Sequence, residues 1–154
     1  MTVINMDKEV MEFFPTTHTY GETTIFVDRM QKQFSTKGYC YFAVDKLADE
    51  SFIGFIGLSE QNYQADFTPC IDIGWRLAKT AWNNGFATEG AKRCLEFGFE
   101  ALHLENIYSV TPVVNTKSEE VMKKIGMQLV KTFNHPQLHE HVRLRKCVLY
   151  KITH

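Results

Sequence analysis

One stretch constrains this chain more than any other. Ile71–Asp72–Ile73–Gly74–Trp75–Arg76–Leu77 reads as a strand, and Trp82–Asn83–Asn84–Gly85–Phe86–Ala87–Thr88–Glu89 reads as a polar, glycine-containing turn that opens a long helix. A strand that feeds a helix through a short turn leaves the first helical N–H groups without partners inside the helix. The helix dipole favours negative charge at the same place, so the joint is a ready anion site. Gly85 permits close backbone approach, and Asn83 and Asn84 tolerate left-handed turn geometry.

Hydrophobic spacing places the remaining elements around this joint. Asp7 is positioned to cap a short helix that ends near Phe14–Pro15. A second helix covers roughly Thr23–Ser35, with Ile25, Phe26, Met30 and Phe34 at helical spacings and Lys37–Gly38 as its stop. Strands follow at Tyr39–Val44, at Phe52–Leu58 (apolar on both faces, as in mid-sheet) and at Cys70–Leu77. The long helix runs roughly Gly85–Leu102, and Ala87, Ala91, Cys94, Leu95, Gly98 and Leu102 form a stripe small enough for close packing on a sheet. Asn106–Val113 is a strand. Asn115–Ile125 is a helix closed by Gly126. Met127–Phe133 and Val142–Ile152 are the last strands. The order α-α-β-β-β-α-β-α-β-β predicts one α/β domain over residues 1–154, with helices on both faces of a single sheet.

Composition removes whole classes of function. A net charge of −1 argues against a broad nucleic-acid footprint. No apolar run approaches the roughly 20 residues that span a bilayer, and the N-terminus has no basic, apolar leader. Cys40, Cys70, Cys94 and Cys147 are widely spaced, which predicts reduced thiols in a cytoplasmic protein with no metal site and no disulfide framework. No Gly-Lys-Ser/Thr follows the turn, so a P-loop nucleotide site is disfavoured.

Gly85–Phe86–Ala87–Thr88–Glu89 resembles motif A of the GNAT superfamily of acetyl-coenzyme A-dependent N-acetyltransferases, whose pattern is Q/R-x-x-G-x-G/A. The branch named for ribosomal-protein N-terminal acetylation is a closer likeness. It shares Asp72–Ile73–Gly74–Trp75, then Trp82, then the Gly-aromatic-Ala-Thr-Glu run, then Asn115–Thr116–Lys117–Ser118 opening a helix that ends at Gly126. The likeness spans about residues 5 to 152. It implies a single mixed, mostly antiparallel, twisted sheet with helices on both faces, shortened at its N-terminus. Two departures stand out. Trp82 occupies the Q/R position, so no side chain there grips phosphate. The superfamily's first strand has no counterpart, which would leave Tyr39–Val44 as a sheet edge open to pairing in a homodimer.

The resemblance also implies a chemistry. Acetyl-CoA serves as co-substrate and an amine as acceptor. Backbone N–H groups from Asn83 and Asn84 through Gly85, Phe86, Ala87 and Thr88 would cradle its pyrophosphate. The strand before motif A carries a bulge in relatives and splays from its neighbour, so the pantetheine arm would run along Trp75, Arg76 and Leu77, with a backbone N–H there as oxyanion donor. Asp72 matches a carboxylate that acts as general base in some members, and a cationic amine needs such a group. His135, His139 and His141 compete for that role. Ser118 would protonate the leaving thiolate, and Asn115 would cap its helix and contact the cofactor arm. Phe13, Phe14 and Pro15, with Trp75 and the loop Gln61–Thr68, would wall the acceptor site. An acidic pocket would suit a polyamine or aminoglycoside, and a narrow groove a peptide N-terminus. The balanced charge does not choose between them. A non-catalytic acetyl-CoA-binding module is the alternative reading.

Overall fold

Side-chain alternation along the strands sorts this chain onto two faces of one sheet. The computed structural model describes residues 1–154. In chain order its elements are α1 (Thr2–Met6), α2 (Tyr20–Lys37), β1 (Tyr41–Asp45), β2 (Phe52–Gln61), β3 (Cys70–Leu77), α3 (Phe86–Glu100), β4 (Asn106–Pro112), α4 (Thr116–Lys124), β5 (Gln128–Asn134) and β6 (Lys146–Thr153). The order of types agrees with the sequence. The six strands run β1-β2-β3-β4-β6-β5 across the sheet, antiparallel except where β3 meets β4. This is the mixed, mostly antiparallel sheet anticipated above.

Ile56 and Leu58 of β2, Ile73 and Leu77 of β3 and Ile107 of β4 form the larger core with Ala91 and Leu95 of α3 and Met122 of α4. Leu58, Ile73 and Ile107 are essentially sealed from solvent, and each such side chain contributes roughly 1.5–3 kcal/mol. Gly98 lets α3 lie close, since a Cβ there would meet Ile107 Cδ1 at 2.7 Å and Leu58 Cδ1 at 3.1 Å. On the opposite face, Phe26 and Met30 of α2 pack on Cys40 and Phe55.

Several boundaries differ from the sequence reading, each for a physical reason. The first helix is Thr2–Met6, not a helix after Asp7. Asp7 ends α1 in an extended conformation, and its Oδ1 accepts from Glu9 N (2.8 Å) and Val10 N (3.3 Å). Residues 8–14 then make isolated turns that Pro15 cannot extend. Helix α2 starts three residues before Thr23, because Thr19 and Glu22 form a reciprocal capping box. Of its apolar positions Phe26 and Met30 are buried, while Ile25 and Phe34 are exposed. Strand β1 begins at Tyr41. Strand β6 begins at Lys146, since Leu144 and Arg145 close turns onto His141, leaving Val142 exposed. All four cysteines are free, and no helix is long and apolar enough to cross a membrane.

Candidate active site

Strands β2 and β3 pair in continuous register from Gly54–Leu77 to Gln61–Cys70. The bulge implied by the resemblance is therefore not present in β3. The opening arises on the other side. Strand β3 meets β4 at a single parallel pair, Asp72–Tyr108, and just beyond it Ser109 Oγ donates to Ile73 O at 2.9 Å. Past that bond the strands diverge. Backbone groups of alternate residues in an antiparallel ladder point to opposite sides. Ile73 O takes the Ser109 hydroxyl and Leu77 O takes the Trp82 indole N–H at 2.9 Å, both away from β2. The N–H and C=O of Trp75, between them, share that direction and face the gap.

A cavity of about 590 Å³ passes through this gap, within the size range of small-molecule sites. One half is built from Leu77, Trp82, Gly85, Phe86, Ala87 and Thr88 with the start of α4. Gly85 precedes α3 with φ +83°, Asn83 also has positive φ (+61°), and no side chain caps the helix. Glu89 N bonds back to Gly85 O at 3.0 Å, so the amides of Phe86, Ala87 and Thr88 are the ones left for a ligand. Asn84 lies outside the lining, and its side chain donates to Trp82 O at 2.8 Å. Lys117, which sequence reasoning passed over, also lines this half, with its Nζ 4.6 Å from the centre of the Trp82 ring. Asn115 caps α4. Its Oδ1 accepts from Ser118 N at 3.3 Å, and its Nδ2 donates to Ser118 Oγ at 3.2 Å. That bond takes a lone pair of the Ser118 hydroxyl and leaves its O–H free to donate.

The other half lies on the α2 face, where Asp72, Gly74 and Arg76 point. It is closed by Phe13, Phe14, Tyr41 and Phe55, with Glu9 and Glu12 at its margin. Tyr41 Oη donates to Asp72 Oδ1 at 2.7 Å. The tyrosine ring reaches that far because Gly74 has no side chain; a Cβ there would lie 3.0 Å from Tyr41 Oη. Burial pushes the Asp72 carboxyl up to about 6, while the Tyr41 and Gln61 hydrogen bonds pull it down and only partly offset the burial. Arg76 stacks on Phe14 (4.0 Å to the ring centre), and its Nη1 donates to Asn5 Oδ1 at 2.7 Å.

Two expected walls are elsewhere. The loop Gln61–Thr68 does not line the cavity. Its Phe67 packs against Tyr108 and Phe133 (6.1 and 5.2 Å between centroids), and Tyr63 stacks on His135 at 4.3 Å. Trp75 touches the cavity, but its side chain belongs to the large core under α3, opposite Phe13 and Phe14. His135, His139 and His141 all lie outside the lining. Asp72 is therefore the titratable group in the cavity that the sequence singled out as a base and the fold brought to the gap. Tyr41 and Phe55, by contrast, carried no sequence signal of a site, since their parts depend on which strands become neighbours.

Comparison with known proteins bears on the family and the fold. The family model described as Acetyltransferase (GNAT) domain matches residues 1–128. The chain is 31% identical over 129 residues to YkkB of Bacillus subtilis (strain 168), covering 82% of this chain and 72% of YkkB. It resembles the GNAT-family acetyltransferase from Bacillus anthracis with a TM-score of 0.80 at 24% identity, over 99% of this chain and 86% of that one. A spermidine N-acetyltransferase from Vibrio cholerae, solved in complex with CoA and spermine, gives 0.76 at 19% identity over the same shares of the two chains.

Proposed function

The chain belongs to the GNAT acetyltransferase family and is an acetyl-CoA-dependent enzyme, and from that premise we propose that it acetylates a primary amine of a small molecule or of a peptide or protein N-terminus. The observation that carries this reading is a single cavity joining the uncapped start of α3 to the Asp72 carboxyl through the gap between β3 and β4. When bound, acetyl-CoA supplies an activated acetyl group: the amine nitrogen bonds to its carbonyl carbon, the carbon–sulfur bond breaks, and CoA leaves as thiolate.

The chain's own groups do the rest. The free amides of Phe86–Thr88 hold the pyrophosphate. The gap-facing N–H of Trp75 bonds the carbonyl oxygen as negative charge develops on it. Asp72 takes the proton of the incoming ammonium, through water, and a carboxyl near 6 is mostly ionised at neutral pH. The free O–H of Ser118 gives its proton to the thiolate, and the second proton shed by the amine nitrogen restores the hydroxyl. The motif run Asp72–Trp75, Trp82, Gly85–Glu89 and Asn115–Ser118 supports a likeness to the ribosomal-protein N-terminal branch. Titration calorimetry with acetyl-CoA, with thiol release from a panel of amines and peptides, tests the reading. We expect binding and turnover, with Ser118→Ala lowering kcat more than it alters acceptor KM. A protein that binds no acetyl-CoA would sink it.

Strand β1 is a sheet edge flanked by exposed apolar rings. Phe34 and Phe42 meet edge-on at 5.6 Å, and both rings are exposed, as is that of Phe52 on β2. We propose that this edge pairs with a second copy. Sedimentation showing only monomer at micromolar concentration would argue against it.

A further inference from the structure

We propose that the amine acceptor carries a carboxylate and that Arg76 binds it; the proposal rests on the acetyl-transfer reading above. Arg76 is a half-buried cation lining the acceptor half of the cavity, and no carboxylate of the protein pairs with it. Its one hydrogen bond goes to the neutral Asn5 Oδ1, and its Nε is buried with no partner at all. A desolvated guanidinium is costly unless an anion compensates it.

The groups around it do not supply that anion. Glu9 and Glu12 are each committed to a cation of their own, Lys79 at 2.6 Å and Arg143 at 2.5 Å. Asp72 is four residues away along β3, roughly 13 Å, and is tied to Tyr41. His18 on the same face is pushed down first by its own burial and then by Arg76, so it stays neutral and adds no compensation. Burial likewise lowers Arg76 itself to about 10, which leaves it charged at neutral pH.

The fold also fixes this guanidinium rather than leaving it to wander. Asn5 is fully buried and its own Nδ2 donates to Thr23 Oγ1 at 3.1 Å, so Arg76 Nη1 has a rigid anchor. The rings of Phe14 and Phe55 lie 4.0 and 5.1 Å from its central carbon. A planar cation anchored at one nitrogen and braced by aromatic rings is pre-organised for a planar anion such as a carboxylate. That carboxylate is either part of a small amino-acid-like amine or an acidic side chain near a peptide N-terminus.

Matched acceptor pairs test this. Small amino acids are compared with their carboxamides, and peptides with Asp or Glu near the N-terminus with their Asn or Gln counterparts. We expect the wild type to favour the carboxylate member by about ten- to hundred-fold in kcat/KM. Whichever pair shows the preference identifies the source. Arg76→Gln should collapse that ratio to near one, and Arg76→Lys should restore part of it. No preference in the wild type, or a preference for polyamines, overturns the proposal, as does a ratio that survives in Arg76→Gln. If acetyl-CoA binds but no panel member turns over, calorimetry on the CoA-loaded wild type decides. Stronger binding of the carboxylate member supports the proposal, and equal or absent binding overturns it. Failure to bind acetyl-CoA at all strikes the acetyl-transfer reading instead.

Discussion

The two halves of the cavity are made by different means. The half that begins α3 is built from backbone: positive φ at Asn83 and Gly85, an uncapped helix start, and a strand whose carbonyls and amides face a gap. Its parts lie within about one contiguous run, Trp75 to Thr88, plus the start of α4. The acceptor half is built from side chains of four separate segments: Phe13 and Phe14 from the N-terminal turns, Tyr41 from β1, Phe55 from β2, and Asp72 and Arg76 from β3. Backbone geometry is set locally and survives many side-chain changes. A side-chain constellation depends on tertiary packing, and one substitution can rewrite it. The first half therefore suits a co-substrate common to a family, and the second is where members can diverge in acceptor.

The largest test of that division is Asp72→Asn. It should lower kcat/KM by about a hundred-fold or more while leaving acetyl-CoA affinity within about two-fold. Parallel losses in both would mean that the halves are not separable. The wild type should show an acidic limb near pH 6 in kcat/KM, rising as Asp72 ionises. Stability should move the other way. The folded carboxyl, at about 6, holds its proton more tightly than the unfolded one at 3.8. Its contribution is thus full below pH 4 and is lost as pH rises through 6. Asn keeps an acceptor for Tyr41 Oη, so Asp72→Asn should be more stable than wild type at pH 8, by up to about 3 kcal/mol, and equal to it near pH 4. Denaturant melts at the two pH values check the sign.

Gly85→Val attacks the other half. A Cβ at Gly85 meets nothing within 4 Å, so the only penalty is the backbone angle of +83°. A β-branched residue there costs about 1–2 kcal/mol, felt in how the amides of Phe86–Thr88 are aimed. Calorimetry should show acetyl-CoA binding weakened about ten-fold, with the pH 6 limb unmoved. Unchanged affinity would remove the pyrophosphate from this turn.

How much of this was legible in the sequence follows the same line. Strand β3 and the helix start at Gly85 were readable to the residue, because their signals are local: alternation, a glycine and two asparagines before a small-residue stripe. Asp72 was readable as a candidate, but its raised carboxyl was not, since that depends on burial beneath Tyr41. Thr19 and Glu22 held a legible capping box that a helix start placed near Thr23 passed over. The loop Gln61–Thr68 misled because its aromatics suit a binding wall as well as they suit packing on Tyr108 and Phe133. Arg76 gave no local sign of its isolation, which comes from Asn5, 71 positions earlier.

The finest probe of the acceptor half is Tyr41→Phe, which removes one oxygen and little else. The phenylalanine ring can still lie over Gly74 and pack against Phe55 and Phe26, whose centroids are 5.7 and 6.4 Å from that of Tyr41. The lost O–H is one of two hydrogen bonds that hold the Asp72 carboxyl down against burial. Without it the carboxyl rises further, and the acidic limb of kcat/KM shifts to higher pH. Activity near pH 6 should fall by about two- to three-fold, and activity at pH 8 should hardly change. A structural role for Tyr41 alone would lower activity evenly across pH instead. A limb that stays at pH 6 in this variant would mean that the titrating group is not Asp72. The acceptor half would then lose its base while the cofactor half stood as described.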